Sequence, residues 1–461
     1  MARIALLAFS LELVPASGSV LSAAQQTFAN QAQFTGALGQ ILAWPDPLTG
    51  ELAQVWVGIG EHRTLAQLPL AFFRALPARL PAGEFEFSNV AWEPAFAWRV
   101  ALAFEQGRYR FERYKKAQAK PAQSLVFASV DVATVQHWIT AERWCRDLIN
   151  TPAVDLTPAA LSAAAKNLAQ QCGGEFSEWV GEELASEGFR LIHAVGRAAE
   201  ETPRLMELMF TQAPSAPWIT LVGKGVCFDT GGLDMKTSQG MALMKKDMAG
   251  AAVALALAQL VLALKLPVNL QVLIPAVVNS IGSKAVRPSD VIRSRAGLSV
   301  EITNTDAEGR LILADAFSQI HPQCSLLLDT ATLTGAARVA LGPDIPAVFS
   351  DPPELAQALQ RCAGLVGESV WPLPLVAAYQ DELKSTVADL ANSASHGLAG
   401  ALLAALFLQR FVPPNVPWMH IDLYGWNAKE RPGYPVGGEA HALFALAEWL
   451  SARYPAHPPT T

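Results

Sequence analysis

The stretch WITLVGKGVCFDTGG, residues 218–232, joins an apolar run to a glycine-rich loop that carries Lys224 and Asp229. An apolar run of this length, ended by turn residues, predicts a strand buried on both faces of a sheet. Further apolar strands and helices alternate downstream, at residues 268–278, 311–320 and 325–333. This alternation predicts an α/β fold with a mostly parallel central sheet covered by helices. In such sheets ligands bind at the carboxyl ends of the strands.

The length and composition indicate two domains. The chain has 461 residues, of which 51% are hydrophobic and 16% charged. A single hydrophobic core does not usually accommodate a chain of this length. We predict a smaller N-terminal α/β domain at residues 1–132 and a larger one at residues 133–461. The net charge of −7 argues against a nucleic-acid binder. Five scattered cysteines without a CxxC pair fit a reducing compartment, so we expect a cytoplasmic protein.

One apolar segment could be mistaken for a membrane span. Residues 248–264 are apolar except for Gln259, but the segment is shorter than the roughly 20 residues that a spanning helix needs. It is rich in Ala and flanked by charged residues. We predict a helix buried between the layers of the fold, and no membrane association.

Ionisable residues follow the strand ends of the second half. Lys224 and Asp229 follow one predicted strand, and the loop after them continues through Lys236 to Asp247. A second predicted strand, LSVEITN, is followed by a further group of ionisable residues: Asp306, Glu308 and Arg310. Four carboxylates at one sheet edge repel one another, and two divalent cations would neutralise them. On an extended segment, residues two apart face the same side, about 6.6 Å apart. We therefore expect the last two carboxylates to engage two metal ions about 3.5–4 Å apart.

Other motifs fit less well. The run NTDAEGRLILAD, residues 304–315, partly matches a calcium loop, but Ile312 is apolar at a ligand position and no helix is predicted before it. VGKG lacks the frame of a phosphate-binding loop. The eight His residues form no HExxH, which argues against a His-based zinc site.

Longer motifs carry a specific resemblance. In order along the chain, VGKGVCFDTGG, MKTSQGMALMKKDMAGAA, NTDAEGRLILADA and TATLTGA resemble the signature blocks of the leucyl aminopeptidase family, the dinuclear cytosol aminopeptidases. The likeness runs from about Asp147 to the C-terminus. It implies a metal-dependent aminopeptidase that removes Leu and other neutral N-terminal residues from peptides through a water or hydroxide that bridges two metals. It also implies a homohexamer.

The resemblance also implies roles for particular residues. Five would be metal ligands: Lys224, Asp229, Asp247, Asp306 and Glu308. The metals would be Mn²⁺ or Zn²⁺, with Mg²⁺ a candidate for the exchangeable site. The two catalytic residues would be Lys236, which stabilises the oxyanion, and Arg310, which holds a bicarbonate ion as general base. The substrate's first side chain would contact Met244, Thr332, Leu333 and Gly335.

Two questions stay open at this stage. In HIDLYGWN, Tyr424, Trp426 and Asn427 stand where the family often has smaller or more flexible residues, so either ring could enter the substrate pocket or pack in the scaffold. The function also has alternatives. Some bacterial members act as DNA-binding accessory or regulatory proteins, and a relative with an inactive site is a third hypothesis, opposed by the intact set of seven metal-ligand and catalytic residues.

Overall fold

A computed structural model of the chain describes residues 2–7, 21–62, 67–87, 92–116, 123–127 and 130–456. The chain divides into two compact units, residues 1–139 with 429–436, and residues 140–428 with 437–461. The domain boundary predicted after residue 132 lies at the beginning of a long helix, and it stays a prediction.

Strands and helices alternate through most of the described chain. The strands are β1 Ala2–Leu7, β2 Ile41–Pro45, β3 Leu52–Gly58, β4 Gly83–Phe87, β5 Gln123–Val126, β6 Glu175–Val180, β7 Arg204–Phe210, β8 Trp218–Gly223, β9 Gly225–Asp229, β10 Asn269–Asn279, β11 Val291–Arg293, β12 Ser299–Glu301, β13 Cys324–Ala331, β14 Ala347–Asp351, β15 Trp371–Pro372, β16 Leu390–Ala391, β17 Trp418–Asp422, β18 Trp426–Asn427 and β19 Gly437–Gly438. The α-helices are α1 Ala23–Gln31, α2 Leu70–Ala75, α3 Pro94–Gly107, α4 Val132–Asn150, α5 Pro158–Gln171, α6 Glu182–Ser186, α7 Arg190–Gly196, α8 Ser238–Met241, α9 Ala249–Ala263, α10 Glu308–Phe317, α11 Gly335–Leu341, α12 Glu354–Leu365, α13 Gly400–Gln409 and α14 Leu443–Arg453. Short 3₁₀ helices lie at Leu76–Ala78, Met244–Lys246 and Ala377–Leu383.

The first unit contains a five-stranded sheet in the order β2-β3-β1-β4-β5. β1 runs parallel to β3 and β4, β4 runs parallel to β5, and β2 is antiparallel to β3. Its core includes the fully buried Ile4, Val55, Phe73 and Phe104. Helix α3 begins where the Glu93 carboxylate accepts hydrogen bonds from two backbone N–H groups of its first turn.

The second unit is built on a nine-stranded sheet. Its order is β15-β14-β17-β13-β8-β10-β7-β6, and β9 also pairs with β10. The central strands β17, β13, β8 and β10 are parallel, whereas β6, β7 and β14 form antiparallel pairs. β8 and β10 are buried almost throughout, as strands covered on both faces must be. The predicted fold class, a mostly parallel α/β sheet preceded by a smaller α/β domain, is confirmed.

Helix α9 is the apolar segment predicted to be buried. The continuous helical stretch from Met244 to Ala263 is long and apolar enough to cross a membrane, but 83% of its most apolar window is buried inside the protein. α9 packs on β8, β13 and α14. A Cβ on Gly250 would lie 2.1 Å from the carbonyl oxygen of Thr330, so this helix approaches the sheet more closely than a side chain would allow.

The geometry expected for Asp306 and Glu308 is wrong. The predicted strand before them is only β12, Ser299–Glu301, which pairs with β11 and β16 outside the main sheet. Asp306 lies in a turn, and Glu308 is the first residue of α10, which begins three residues before the predicted helix. The two carboxylates are therefore held by a turn and a helix N-terminus, because the chain bends immediately after β12.

Candidate metal centre

The predicted metal ligands lie at the carboxyl ends of neighbouring strands. Lys224 follows β8, Asp229 ends β9, and Asp247 lies just before α9 on the chain that returns from the glycine-rich loop. Asp306 and Glu308 reach the same place from the turn before α10. One oxygen from each of Asp229, Asp306 and Glu308 lies within 4.8 Å of the other two. The sheet edge thus brings together residues from three separate parts of the chain.

Two lysines lie among these carboxylates. Lys224 Nζ is 2.7 Å from Asp247 Oδ2 and 2.9 Å from Glu308 Oε1. It also donates a hydrogen bond of 2.9 Å to the carbonyl oxygen of Thr332. Lys236 Nζ is 2.8 Å from Asp229 Oδ2 and forms a second ion pair with Asp306. Four carboxylates thus face two ammonium groups in a largely buried site, which leaves excess negative charge.

Burial and neighbouring charges shift the pKa values of three of these carboxylates. Burial raises the pKa of Asp229 above its ordinary 3.8, and repulsion from Glu308 and Asp247 raises it further, against Lys236 and Lys224. Burial and repulsion from Glu308 likewise raise the pKa of Asp306. Burial alone would raise the pKa of Glu308, but Lys224 and Lys236 outweigh it and lower that pKa. Ionised carboxylates in this site therefore need more positive charge than the lysines provide.

The residues fit divalent metal ions. Glu308 Oε2 is buried and accepts no hydrogen bond from any residue that the structure describes. A buried carboxylate oxygen without a donor is costly unless a cation or water occupies its free side. Carboxylate oxygens with one amine nitrogen are ligands that both zinc and harder divalent metals accept. These side chains could therefore hold two such ions.

Neighbouring polar groups orient the ligands. Asp229 Oδ1 accepts hydrogen bonds of 2.8 Å from the Asn279 side chain and from the backbone N–H of Gly231. The Thr332 hydroxyl donates to Asp247 Oδ1 at 2.7 Å. Because these oxygens are held on one side, the second oxygen of each carboxylate is directed toward the site.

Arg310 lies in the first turn of α10 and is 7% exposed. Its Nη1 donates to the carbonyl oxygen of Asn392 at 2.7 Å, whereas its buried Nε finds no acceptor among the described residues. Burial lowers the pKa of Arg310 to about 10, and the charges of Glu308 and Asp422 oppose that shift. A guanidinium that is still cationic and has a free donor can bind a small planar anion.

A cavity of about 350 Å³ adjoins the carboxylates. Its wall includes all four residues expected to contact the substrate's first side chain, namely Met244, Thr332, Leu333 and Gly335. Tyr424 also lines the cavity. Trp426 is 7% exposed, lies in β18 opposite β19, and does not line the cavity as far as the structure describes the chain. Of the two rings left open by the sequence, Tyr424 faces the cavity and Trp426 belongs to the scaffold.

Sequence reasoning missed two cations in this wall. Lys246 and Arg338 both line the cavity, and both lie beside the ring of Tyr424. Burial lowers the pKa of Lys246 to about 8, and nearby Asp247 only partly opposes this. The sequence did contain a signal for their place near the site, because Lys246 directly precedes the expected ligand Asp247 and Arg338 lies one helical turn after Gly335. Their convergence with Tyr424 needed the tertiary structure.

Comparisons with known proteins point to one family. The profile described as "Cytosol aminopeptidase family, catalytic domain" matches residues 143–445, and that of the "M17 aminopeptidase, N-terminal domain" matches residues 13–127. A probable cytosol aminopeptidase of Syntrophotalea carbinolica is 44% identical over 66% of this chain, a match that spans 62% of that relative's length.

Two solved structures are similar over most of the chain. The cytosol aminopeptidase of Coxiella burnetii has a TM-score of 0.88 and 43% identity, over 94% of this chain and 93% of that one. The bottromycin maturation enzyme BotP, in complex with Mn, has a TM-score of 0.85 and 33% identity, over 95% and 97% of the two chains.

Proposed function

This chain belongs to the cytosol aminopeptidase family, also called the leucyl aminopeptidase family, and on that premise we propose that it is a metal-dependent aminopeptidase. The substrate would be a peptide with a free N-terminus, and the reaction is hydrolysis of its first peptide bond. The observation that carries the proposal is the convergence of four carboxylates and two lysines beside a cavity at the carboxyl edge of the sheet.

Five residues would hold two divalent ions: Lys224, Asp229, Asp247, Asp306 and Glu308. When bound, the ions would supply Lewis acidity for the scissile carbonyl and would lower the pKa of the attacking water. Lys224 could ligate only as the neutral amine, and its contacts with Asp247 and Glu308 hold Nζ among the carboxylates. Mn²⁺ is favoured by the Mn complex of BotP, with Zn²⁺ and Mg²⁺ as further candidates.

Two cationic side chains of this protein would stabilise the negative charge that develops in the reaction and would bind the group that accepts the proton. Lys236, held by Asp229 and Asp306, would donate a hydrogen bond to the oxyanion that forms from the scissile carbonyl. Arg310 would bind bicarbonate through its unpartnered Nε, so that the anion accepts a proton from the attacking water. Arg310 lies on the fully buried helix α10, whereas Lys236 lies in the loop before α8 and is held by its two ion pairs, so little reorganisation is needed at either cation.

The remaining expectations rest on the family. We propose a cytoplasmic homohexamer that acts on peptides beginning with Leu or another neutral residue, for which Met244 and Leu333 provide apolar contact. Size-exclusion chromatography with light scattering tests the hexamer. The net charge of −7 opposes the DNA-binding alternative, which a gel shift at physiological salt would test.

The test of the proposed function is hydrolysis of Leu p-nitroanilide, measured with metal analysis before and after chelation. We expect chelation to abolish activity and Mn²⁺ or Zn²⁺ to restore it. Asp306→Asn and Glu308→Gln should each lower kcat by at least about a hundredfold through lost Lewis acidity. Asp381→Asn is the matched control, because Asp381 is exposed and pairs only with Lys384 in the described chain. Full activity of the metal-replete double variant of Asp306 and Glu308 would refute the assignment.

A further inference from the structure

Two cations in the cavity wall have no carboxylate partner. Lys246 is 4% exposed, and its Nζ lies 4.5 Å from the centroid of the Tyr424 ring. The guanidinium carbon of Arg338 lies 4.5 Å from the same centroid. Across the described part of the chain, neither side chain forms an ion pair or donates a hydrogen bond to an acceptor. Buried cations are normally paired, so a buried amine that faces a cavity and has only an aromatic ring as its partner points to a site for an anionic group.

The nearest carboxylates are engaged elsewhere. Asp247, next to Lys246, contacts Lys224 and accepts a hydrogen bond from Thr332. Both oxygens of Asp422 accept hydrogen bonds from residues 333 and 334 at the beginning of α11. Neither carboxylate therefore forms an ion pair with Lys246 or Arg338 in the described part of the chain.

The two cations lie in the part of the wall that would contact the first side chain. Met244 and Lys246 are the first and last residues of one 3₁₀ helix, and both line the cavity. Gly335 and Arg338 likewise both line it from the first turn of α11. An anion bound to both cations would thus belong to the substrate's first residue, with its methylenes against Met244. Both cations lie over the ring of Tyr424, which holds each of them through a cation–π contact.

We propose that this cavity recognises an acidic first residue, so that N-terminal Glu and Asp are cleaved in preference to their neutral isosteres Gln and Asn. The proposal rests on the proposed aminopeptidase function and names the substrate class of that site. It departs from the family-based expectation of neutral side chains, because apolar contacts alone do not require two cations without a carboxylate partner.

The test compares kcat/KM for the p-nitroanilides of Glu and Gln, with Leu p-nitroanilide as the reference. These substrates carry no second residue, so any effect of charge comes from the side chain. We expect Glu to exceed Gln by at least about tenfold, a usual size for a charge pair formed in a partly desolvated site. Raising the ionic strength should lower this ratio.

Variants separate the contributions of the two cations. Arg338→Gln should lower the Glu/Gln ratio by about three- to tenfold, and Arg338→Glu should lower it further and favour Lys p-nitroanilide. Lys246→Gln should act in the same direction. Arg361→Gln on α12 is the matched control, since Arg361 is exposed and does not line the cavity. Arg338 is also exposed, so its variants test the proposal even where the buried Lys246 variant does not fold.

Each outcome decides one of the two proposals. If no p-nitroanilide is hydrolysed with metal present, the aminopeptidase function itself is wrong. If Leu is hydrolysed but Glu does not exceed Gln, or Arg338→Gln leaves a high ratio unchanged, acidic recognition is wrong. Faster cleavage of Leu-Gly than of Leu-Gly amide, with a Glu/Gln ratio near one, would assign the cations to a peptide's terminal carboxylate and overturn the proposal.

Discussion

Gly309 is the second residue of α10, and its missing side chain leaves room for Lys224. A Cβ at this position would lie 2.5 Å from Lys224 Cε, 2.8 Å from Cδ and 2.9 Å from Nζ. Carbon atoms in favourable contact are about 3.5–4.0 Å apart, so Gly309→Ala must displace the lysine by about 1 Å. The helix cannot yield instead, because every residue of α10 is buried.

That displacement would disturb the proposed centre. Lys224 Nζ would leave its contacts with Asp247, Glu308 and Thr332, which are 2.7–2.9 Å long. A shift of 1 Å in a catalytic group typically costs about a hundredfold in rate, so we expect that loss in kcat/KM together with weaker metal binding. Overpacking costs about 1–3 kcal/mol of unfolding free energy, partly offset by the higher helix propensity of Ala.

The assay combines kcat/KM on Leu p-nitroanilide, metal titration and denaturant unfolding. Gly364→Ala is the control, because Gly364 is also helical and a Cβ there meets no atom within 4 Å. It should leave activity unchanged and alter stability by less than about 1 kcal/mol. In a Lys224→Ala background, Gly309→Ala should add no further loss, because the clash partner is gone. Wild-type activity and metal affinity in Gly309→Ala would refute the reasoning.

Three further predictions concern buried charges. Arg310→Ala should retain slow hydrolysis, and added bicarbonate should stimulate it less than the wild type; equal stimulation would contradict the assigned role. Asp315→Asn should lower the unfolding free energy by about 1–3 kcal/mol, because Asp315 accepts three backbone N–H bonds that an amide cannot all accept; an unchanged denaturation midpoint would contradict this. Burial by itself would lower the pKa of His420. Its Nδ1 lies 2.6 Å from Asp329 Oδ1, and the charge of this carboxylate outweighs burial and raises the pKa above 6.5. The wild type should therefore gain most stability over Asp329→Asn below pH 6.5 and lose that gain as pH rises through the raised pKa; a pH-independent difference in denaturation midpoints would exclude the ion pair.

The sequence by itself predicted several strands and helices of the second unit, among them β8, α9, β10 and β13, and it supplied the candidate ligands. Apolar runs such as those of β8 and α9 are local patterns, and turn residues mark where each ends. Because parallel strands end at one edge of a sheet, Lys224 and Asp229 could be placed there without knowing the strand order. The order of these elements likewise sufficed for the fold class, since an alternation of strands and helices has few packed solutions.

Only the tertiary structure decided which distant residues meet. β13 lies between β8 and β17, so Thr332 and Tyr424 border one cavity although they are far apart in the chain. The bend after β12 that holds Asp306, and the pairing of Lys246 and Arg338 with Tyr424, follow from the same packing. Strand order depends on burying both faces of the whole sheet at once. That is a sum over non-local contacts, and a local pattern does not contain it.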